Sequence, residues 1–201
     1  MNFLSLKKSH TMLNQRIQGL YGITPDKNLN IDIIENAIKK HHINILQYRR
    51  KAVNIEHKVE EAKKLLNLCI EHNTLFIVND DVNLCENIGA HGIHLGQNDM
   101  DAKSARERLG NHFIIGVTCH NSLELAIKAE QNGADYVALG AIFKSSTKPN
   151  ATHCPLTKVE EIKKIVSIPI VGIGGINLTN QHVVYQSGCS SVAMIEGLFM
   201  D

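Results

Sequence analysis

The sequence carries no surplus of charge of either sign: 21 lysines and arginines stand against 20 aspartates and glutamates, a formal net charge of +1. Without a polycationic field, the chain offers no general attraction to nucleic acid or to an anionic membrane. Long apolar runs are missing too, and none approaches the roughly 20 residues that a bilayer-spanning helix needs. Met1–Gln18 lacks the basic flank, apolar stretch and small-residue cleavage site of a signal peptide, so a cytoplasmic protein is expected. Cysteine is sparse and shows no pairing pattern. The five, at positions 69, 85, 119, 154 and 189, are odd in number, scattered and without a C-x-x-C. That spacing argues for reduced thiols and against a disulfide framework or a zinc site. No linker, low-complexity tract or shift of composition divides the chain.

What is present suffices for one large core. Hydrophobic residues make up 43% of 201 residues and charged residues 20%, the balance of a single globular domain. Eight short apolar runs recur: Leu20–Thr24, Ile43–Tyr48, Leu75–Val78, Gly92–Leu95, Phe113–Val117, Tyr136–Leu139, Ile170–Ile173 and Ser191–Ile195. They are continuous and rich in β-branched residues, as strands buried on both faces should be. Helical patterns lie between them, over Ile31–Lys40, Ile55–His72, Ala102–Leu109, Ser122–Asn132 and Val159–Val166. In the second, Val59, Ala62, Leu65, Leu66 and Cys69 fall at spacings of three and four, which predicts one buried stripe. Gly89, Gly133 and Gly188 each follow a helical pattern and precede a strand, the place where a left-handed residue ends a helix. Strand, helix and glycine in repetition imply parallel strands with right-handed crossovers. Eight such units predict an α/β fold, a closed (β/α)8 TIM barrel over residues 19–201, with 1–18 as an N-terminal extension. The chain stops at Asp201, just after the eighth run, so the final helix is expected to be short or missing, or its gap to be covered by the extension (Met12, Leu13 and Ile17 at helical spacing).

A parallel barrel builds its active site at the C-terminal ends of its strands, so the residues after each run carry the functional reading. The second run ends Gln47-Tyr48-Arg49-Arg50-Lys51, and alternation sends Gln47, Arg49 and Lys51 to one side. The third ends Asn79-Asp80-Asp81 and the fourth Gly96-Gln97-Asn98-Asp99. Two carboxylates from neighbouring strand ends, with cations opposite, suit a magnesium ion bridging to a phosphate, although either Asp80 or Asp81 could instead cap the helix that follows. The fifth ends Thr118-Cys119-His120, where the histidine could be an acid–base or a packed side chain and the thiol has no activating neighbour in sequence. Hydroxyls and lysines over residues 144–148 suit an anion site or a surface loop, and Gly172-Ile173-Gly174-Gly175-Ile176 would let backbone N–H groups approach a phosphate. Anion- and metal-binding residue types thus converge on one end of the expected barrel.

Taken together, Gln47-Tyr48-Arg49-Arg50-Lys51, Phe76-Ile77-Val78-Asn79-Asp80, Gly92-Ile93-His94-Leu95-Gly96-Gln97-x-Asp99, Ser145-Ser146-Thr147-Lys148 and Gly172-Ile173-Gly174-Gly175-Ile176 resemble the thiamine-phosphate synthase (thiamine-phosphate pyrophosphorylase) family, in order from about Leu20 to Phe199. The resemblance implies a (β/α)8 barrel and a transferase that joins a pyrimidine-methyl pyrophosphate to a thiazole phosphate. The substitution is dissociative, and pyrophosphate departs. It further implies that Gln47, Tyr48, Arg49, Arg50, Lys51, Asn79 and Lys148 surround the pyrimidine pyrophosphate, with Arg49, Lys51 and Lys148 neutralising the leaving group. Asp80 and Asp99 would hold Mg2+, and Thr118 takes the place of a hydroxyl beside the pyrimidine. Ser145, Ser146, Thr147, Gly175, Ile195 and Glu196 would line the thiazole phosphate. Three positions depart from the family pattern: Ser145 stands for threonine, Lys144 for proline and Glu196 for serine. A thiazole tautomerase using His120 on the same barrel, or a barrel that binds thiamine intermediates without turnover, are the competing readings. The intact Gly96-Gln97-x-Asp99 and Ser146-Thr147-Lys148 segments weigh against the former, and the paired aspartates against the latter.

Overall fold

The computed structural model describes residues 16–26, 29–50, 54–144 and 151–199, apart from the side chains of Ile55 and Glu196. Eight parallel strands close into a barrel in chain order: β1 Gly19–Ile23, β2 Ile45–Tyr48, β3 Leu75–Asn79, β4 Gly92–Leu95, β5 Ile114–His120, β6 Tyr136–Leu139, β7 Ile170–Ile173 and β8 Ser191–Met194. β1 pairs with β2 on one side and with β8 on the other, with Gly19 opposite Ser191, which closes the ring. The intervening helices are α1 Ile31–His41, α2 Ile55–Glu71, α3 Val82–Ile88, α4 Ala102–Leu109, α5 Leu123–Gln131, α6 Leu156–Lys163 and α7 Gln181–Gln186. After β8 comes α8, Glu196–Phe199, a single turn set against α1. Among the described residues, that turn is the last element.

Local chemistry accounts for the boundaries. Asn30 caps α1 by accepting from the N–H groups of Asp32 and Ile33, and Lys39, Lys40 and His41 sit in the last turn, where cations complement the helix dipole. Asn54, Asp101 and Ser122 cap α2, α4 and α5 in the same way. Ala62, Leu65, Leu66 and Cys69 form the buried stripe of α2 that their spacing predicts. Gly89, Gly133 and Gly188 all adopt positive φ, at 66°, 85° and 101°, so each helix-to-strand reversal uses the residue that tolerates it. Three helices differ from expectation. Helix α6 starts three residues before the predicted Val159 because Pro155, at φ −66°, already sets its first turn. Helices α3 and α7 have only seven and six residues, too few to register as a periodic pattern.

Alternation along the strands sorts side chains into two cores. Outward residues such as Leu46, Phe76, Ile93, Ile115, Val137 and Val192 pack under the helices, while Tyr21, Ile23, Ile45, Leu75, Ile77, Ile114, Tyr136, Ala138, Val171 and Ala193 fill the barrel. Ile17, 1% exposed, joins the interior set. The chain just ahead of β1 thus plugs the N-terminal mouth of the barrel rather than standing outside it as part of an extension. Met12 and Leu13 lie outside the described residues. The apolar layers fill the N-terminal half and leave the opposite mouth open.

Candidate active site

A cavity of about 480 Å³ opens at the C-terminal ends of the strands, within the usual range for a site holding small molecules. Its lining gathers Gln47 from β2 and Arg49 just after it, Asn79 from β3, His94 from β4, and Thr118 and His120 from β5. Gly174, Gly175 and Ile176 after β7 and Ile195 and Gly197 after β8 complete the opposite wall. Of the predicted residues, Gln47, Arg49, Asn79, Thr118, Gly175 and Ile195 therefore share one cavity. Lys51, Ser145, Ser146, Thr147 and Lys148 lie outside the described residues, as does the Glu196 side chain.

Two residues of the β2 end do not reach the cavity. The Tyr48 ring is 1% exposed, stacks on Phe76, and its hydroxyl donates to Glu61 Oε2 at 2.8 Å. Arg50 donates to both Glu61 oxygens, at 3.1 and 3.2 Å, and to the Asp26 carbonyl. The pleat sends both to the helix side, so the expectation that Tyr48 and Arg50 meet substrate is corrected to a packing role against α2. Arg49 faces inward and is held from β1: Thr24 Oγ1 accepts from its N–H at 2.9 Å and the Asp26 carboxylate takes its guanidinium. Thr24 and Asp26 were not foreseen. Thr24 ends the first apolar run and Asp26 lies two residues beyond it, so the strand-end rule applied to that run would have found them.

The two aspartates after β3 separate by task. Asp81 caps α3, accepting from Leu84 N–H at 2.9 Å, and pairs with Lys58 at 2.7 Å. Burial raises its pKa, yet the Lys58 bond and the backbone N–H groups outweigh that and hold the carboxyl below its ordinary value. The cap of α3 is thus Asp81 and not Asp80. Asp80 sits in the left-handed region at φ 61°, its N–H donating to the His94 carbonyl at 2.9 Å, which extends the β3–β4 ladder to the rim. Asp99 folds back over the end of β4, where its Oδ2 accepts from Gly96 N–H at 2.7 Å. No cluster of three or more histidine, cysteine, aspartate or glutamate side chains that could hold a metal occurs among the described residues. Two carboxylates at adjacent strand ends nonetheless fit Mg2+, which keeps its waters and is held by one or two carboxylates plus substrate phosphates.

Polar side chains also cross the floor of the cavity. Gln47 Nε2 donates to Tyr21 Oη at 2.8 Å, Tyr21 and Tyr136 hydroxyls meet at 2.9 Å, His94 Nδ1 lies 3.0 Å from Tyr136 Oη, and His94 Nε2 lies 2.8 Å from Thr118 Oγ1. Burial pushes both phenols above their ordinary pKa, more than hydrogen bonds to Tyr136 and Gln47 lower that of Tyr21. Gly116 makes room for this floor, because a Cβ there would lie 2.0 Å from Tyr136 Cζ. His94 was visible in sequence as a polar residue inside an apolar strand, and the two tyrosines read only as core. Cys119 is fully buried and its thiol is pushed up to about 12 by burial, so it is inert. His120 reaches the cavity from a left-handed backbone position, φ 54°.

The family model for thiamine monophosphate synthase matches residues 20–198. A thiamine-phosphate synthase of Thioalkalivibrio sulfidiphilus is 43% identical over 94% of this chain and 91% of its own length. That of Nitrosococcus oceani is 42% identical over 93% and 88%. Among solved structures, the thiamine phosphate pyrophosphorylase of Pyrococcus furiosus superposes with a TM-score of 0.83 at 32% identity, covering 92% of this chain and 88% of that one. With a match that spans the whole barrel and every strand end just described, the chain belongs to the thiamine-phosphate synthase family.

Proposed function

We infer that the protein condenses 4-amino-2-methyl-5-(diphosphooxymethyl)pyrimidine with thiazole phosphate, giving thiamine phosphate and pyrophosphate. The observation that carries this reading is the C-terminal cavity that unites Gln47, Arg49, Asn79 and Thr118 on one wall with Gly175 and Ile195 on the other. One wall suits a polar ring bearing a diphosphate and the other suits the second phosphate. Loss of pyrophosphate leaves a pyrimidine-methyl cation that the thiazole nitrogen captures, a reaction that needs charge neutralised on the leaving group rather than a strong base. Arg49, held by Thr24 and Asp26, would donate to that diphosphate, a role that its position on the cavity wall supports, and Lys51 and Lys148 are assigned the same task. Asp80 and Asp99 would hold Mg2+, which when bound neutralises the charge developing on the departing oxygens. The apolar wall of Ile23, Ile173, Ile176 and Met194 limits water around the cation until the nitrogen attacks. Free cysteines and the absence, among the described residues, of a helix long and apolar enough to cross a membrane support a cytoplasmic location.

The test is incubation of the purified protein with both substrates and magnesium. Thiamine phosphate and pyrophosphate in equal amounts support the reading, and the absence of both refutes it. His120 on the cavity wall favours one second reading, a thiazole tautomerase with that histidine as its acid–base. Isomerisation of the thiazole without coupling, lost in His120→Ala, would establish it.

A further inference from the structure

Two neighbouring arginines at the end of β2 approach one residue beyond β1 from opposite sides. Arg49 faces the cavity and its guanidinium takes the Asp26 carboxylate, while Arg50 faces α2 and donates to the Asp26 carbonyl. Arg50 is itself held, because its Nε and Nη2 donate to the two oxygens of Glu61 at 3.1 and 3.2 Å. Glu61 belongs to α2 and also accepts from Tyr48 Oη at 2.8 Å, which ties it to the outer layer of the barrel. Charge therefore alternates along one line, from Glu61 through Arg50 and Asp26 to Arg49. Thr24, 1% exposed, grips the Arg49 main chain, where its Oγ1 accepts from the N–H at 2.9 Å and donates to the carbonyl at 3.3 Å.

The Asp26 side chain is 38% exposed, and an ion pair so open to solvent does little by itself to fix a long side chain. The fork between Arg50 and Glu61 is better shielded, with side chains 12% and 24% exposed, and two parallel N–H bonds to one carboxylate impose a single orientation. The remaining Arg50 nitrogen then locates the backbone of the residue whose carboxylate holds Arg49. We propose that Glu61, Arg50 and Asp26 are positioning residues that hold the Arg49 guanidinium where the diphosphate departs. This rests on the synthase reading, in which Arg49 neutralises the leaving group. It also gives a carboxylate next to an anion-binding arginine a purpose. Coulomb repulsion alone would favour removing Asp26. Neutralising the departing group instead depends on geometry, and a misplacement of about 1 Å can cost on the order of 100-fold in rate.

The experiment measures the single-turnover coupling rate and the Kd for the pyrimidine diphosphate in Asp26→Ala and Arg50→Lys, each alone and combined with Arg49→Gln. Asp26→Ala cuts the contact to Arg49 at a solvent-facing residue and keeps the carbonyl that Arg50 uses. Arg50→Lys keeps a cation beside Glu61 but loses the planar fork. Glu61→Gln, which keeps the side-chain shape and loosens the fork, should act like Arg50→Lys and serves if that variant does not fold. Asp26→Ala should lower the rate at least fivefold and Arg50→Lys at least threefold, with Kd within threefold of wild type or tighter. On top of Arg49→Gln, each should change the rate by less than twofold, because the group being positioned is gone. A smaller loss in either single variant, a Kd weakened beyond threefold, or a further loss of twofold or more in the Arg49→Gln background overturns the assignment. Wild type that forms no thiamine phosphate, or Arg49→Gln that retains a third or more of the wild-type rate, instead refutes the reading on which the proposal rests, and the proposal with it.

Discussion

Arg106 offers the sharpest test of the division between a stabilising and a functional end of the barrel. From α4 its guanidinium donates to the carbonyls of Gly110 at 2.6 Å, Phe113 at 2.7 Å and Gly133 at 3.0 Å, and pairs with Asp135 at 2.6 Å. Asp135, 2% exposed, also accepts from Ile115 N–H at 2.7 Å. All these partners lie at or just before the starts of β5 and β6, opposite the cavity. Arg106→Leu strips a buried carboxylate of its cation and three carbonyls of a donor, a change worth about 3–5 kcal/mol. At about 2–4 °C per kcal/mol for a domain of this size, the midpoint should fall by roughly 6–20 °C. Thermal denaturation followed by circular dichroism measures it. Arg106→Met with Asp135→Asn should recover much of the loss, because no unpaired charge then remains. Coupling kcat/KM in Arg106→Leu, taken well below its midpoint, should stay within about threefold of wild type, since the pair sits at the end that supports stability. A midpoint shift under 2 °C, or a large loss of activity in the folded variant, would refute this division.

Asp80→Ala and Asp99→Ala should each lower coupling by orders of magnitude, as should chelation of magnesium; full activity in chelator would remove the metal assignment. His120→Ala should keep substantial coupling activity, measured as thiamine phosphate formed per minute, because no strong base is required. For Asp81 the sign is set by its lowered folded pKa: its stabilising effect is fully present above the unfolded value of about 3.9 and is lost as pH falls through the lower folded value. The midpoint difference between wild type and Asp81→Asn should therefore be constant from pH 6 to about 5 and shrink below about pH 4. Gly116→Ala should abolish activity or folding, because its Cβ would overlap the Tyr136 ring.

The architecture was legible because parallel barrel strands are short, apolar and bounded by glycine. Gly92–Leu95, Tyr136–Leu139 and Ile170–Ile173 coincide with their predicted limits. β5 runs on to His120 through a register shift between Thr118 and His120, which a hydropathy pattern does not signal. The cavity lining was half legible. Strand-end position pointed to Arg49, Asn79 and Thr118, which line the cavity, and alternation already separated Gln47 and Arg49 from Tyr48 and Arg50. Only the structure could divide Asp80 from Asp81, since that depended on which carboxylate turned toward the Leu84 N–H. The floor of Tyr21, Tyr136 and His94 stayed hidden because its meaning lies in contacts between strands as far apart as 115 residues.

If this cavity accelerates coupling by neutralising a departing diphosphate, Arg49→Gln, which removes the charge and keeps a polar side chain, should slow the reaction. Loss of one donor aimed at developing charge costs about 10²–10³ in rate. The expected result is a fall of that size in coupling kcat/KM, with the Kd for thiazole phosphate unchanged. A variant that retains a third or more of wild-type kcat/KM would contradict the account.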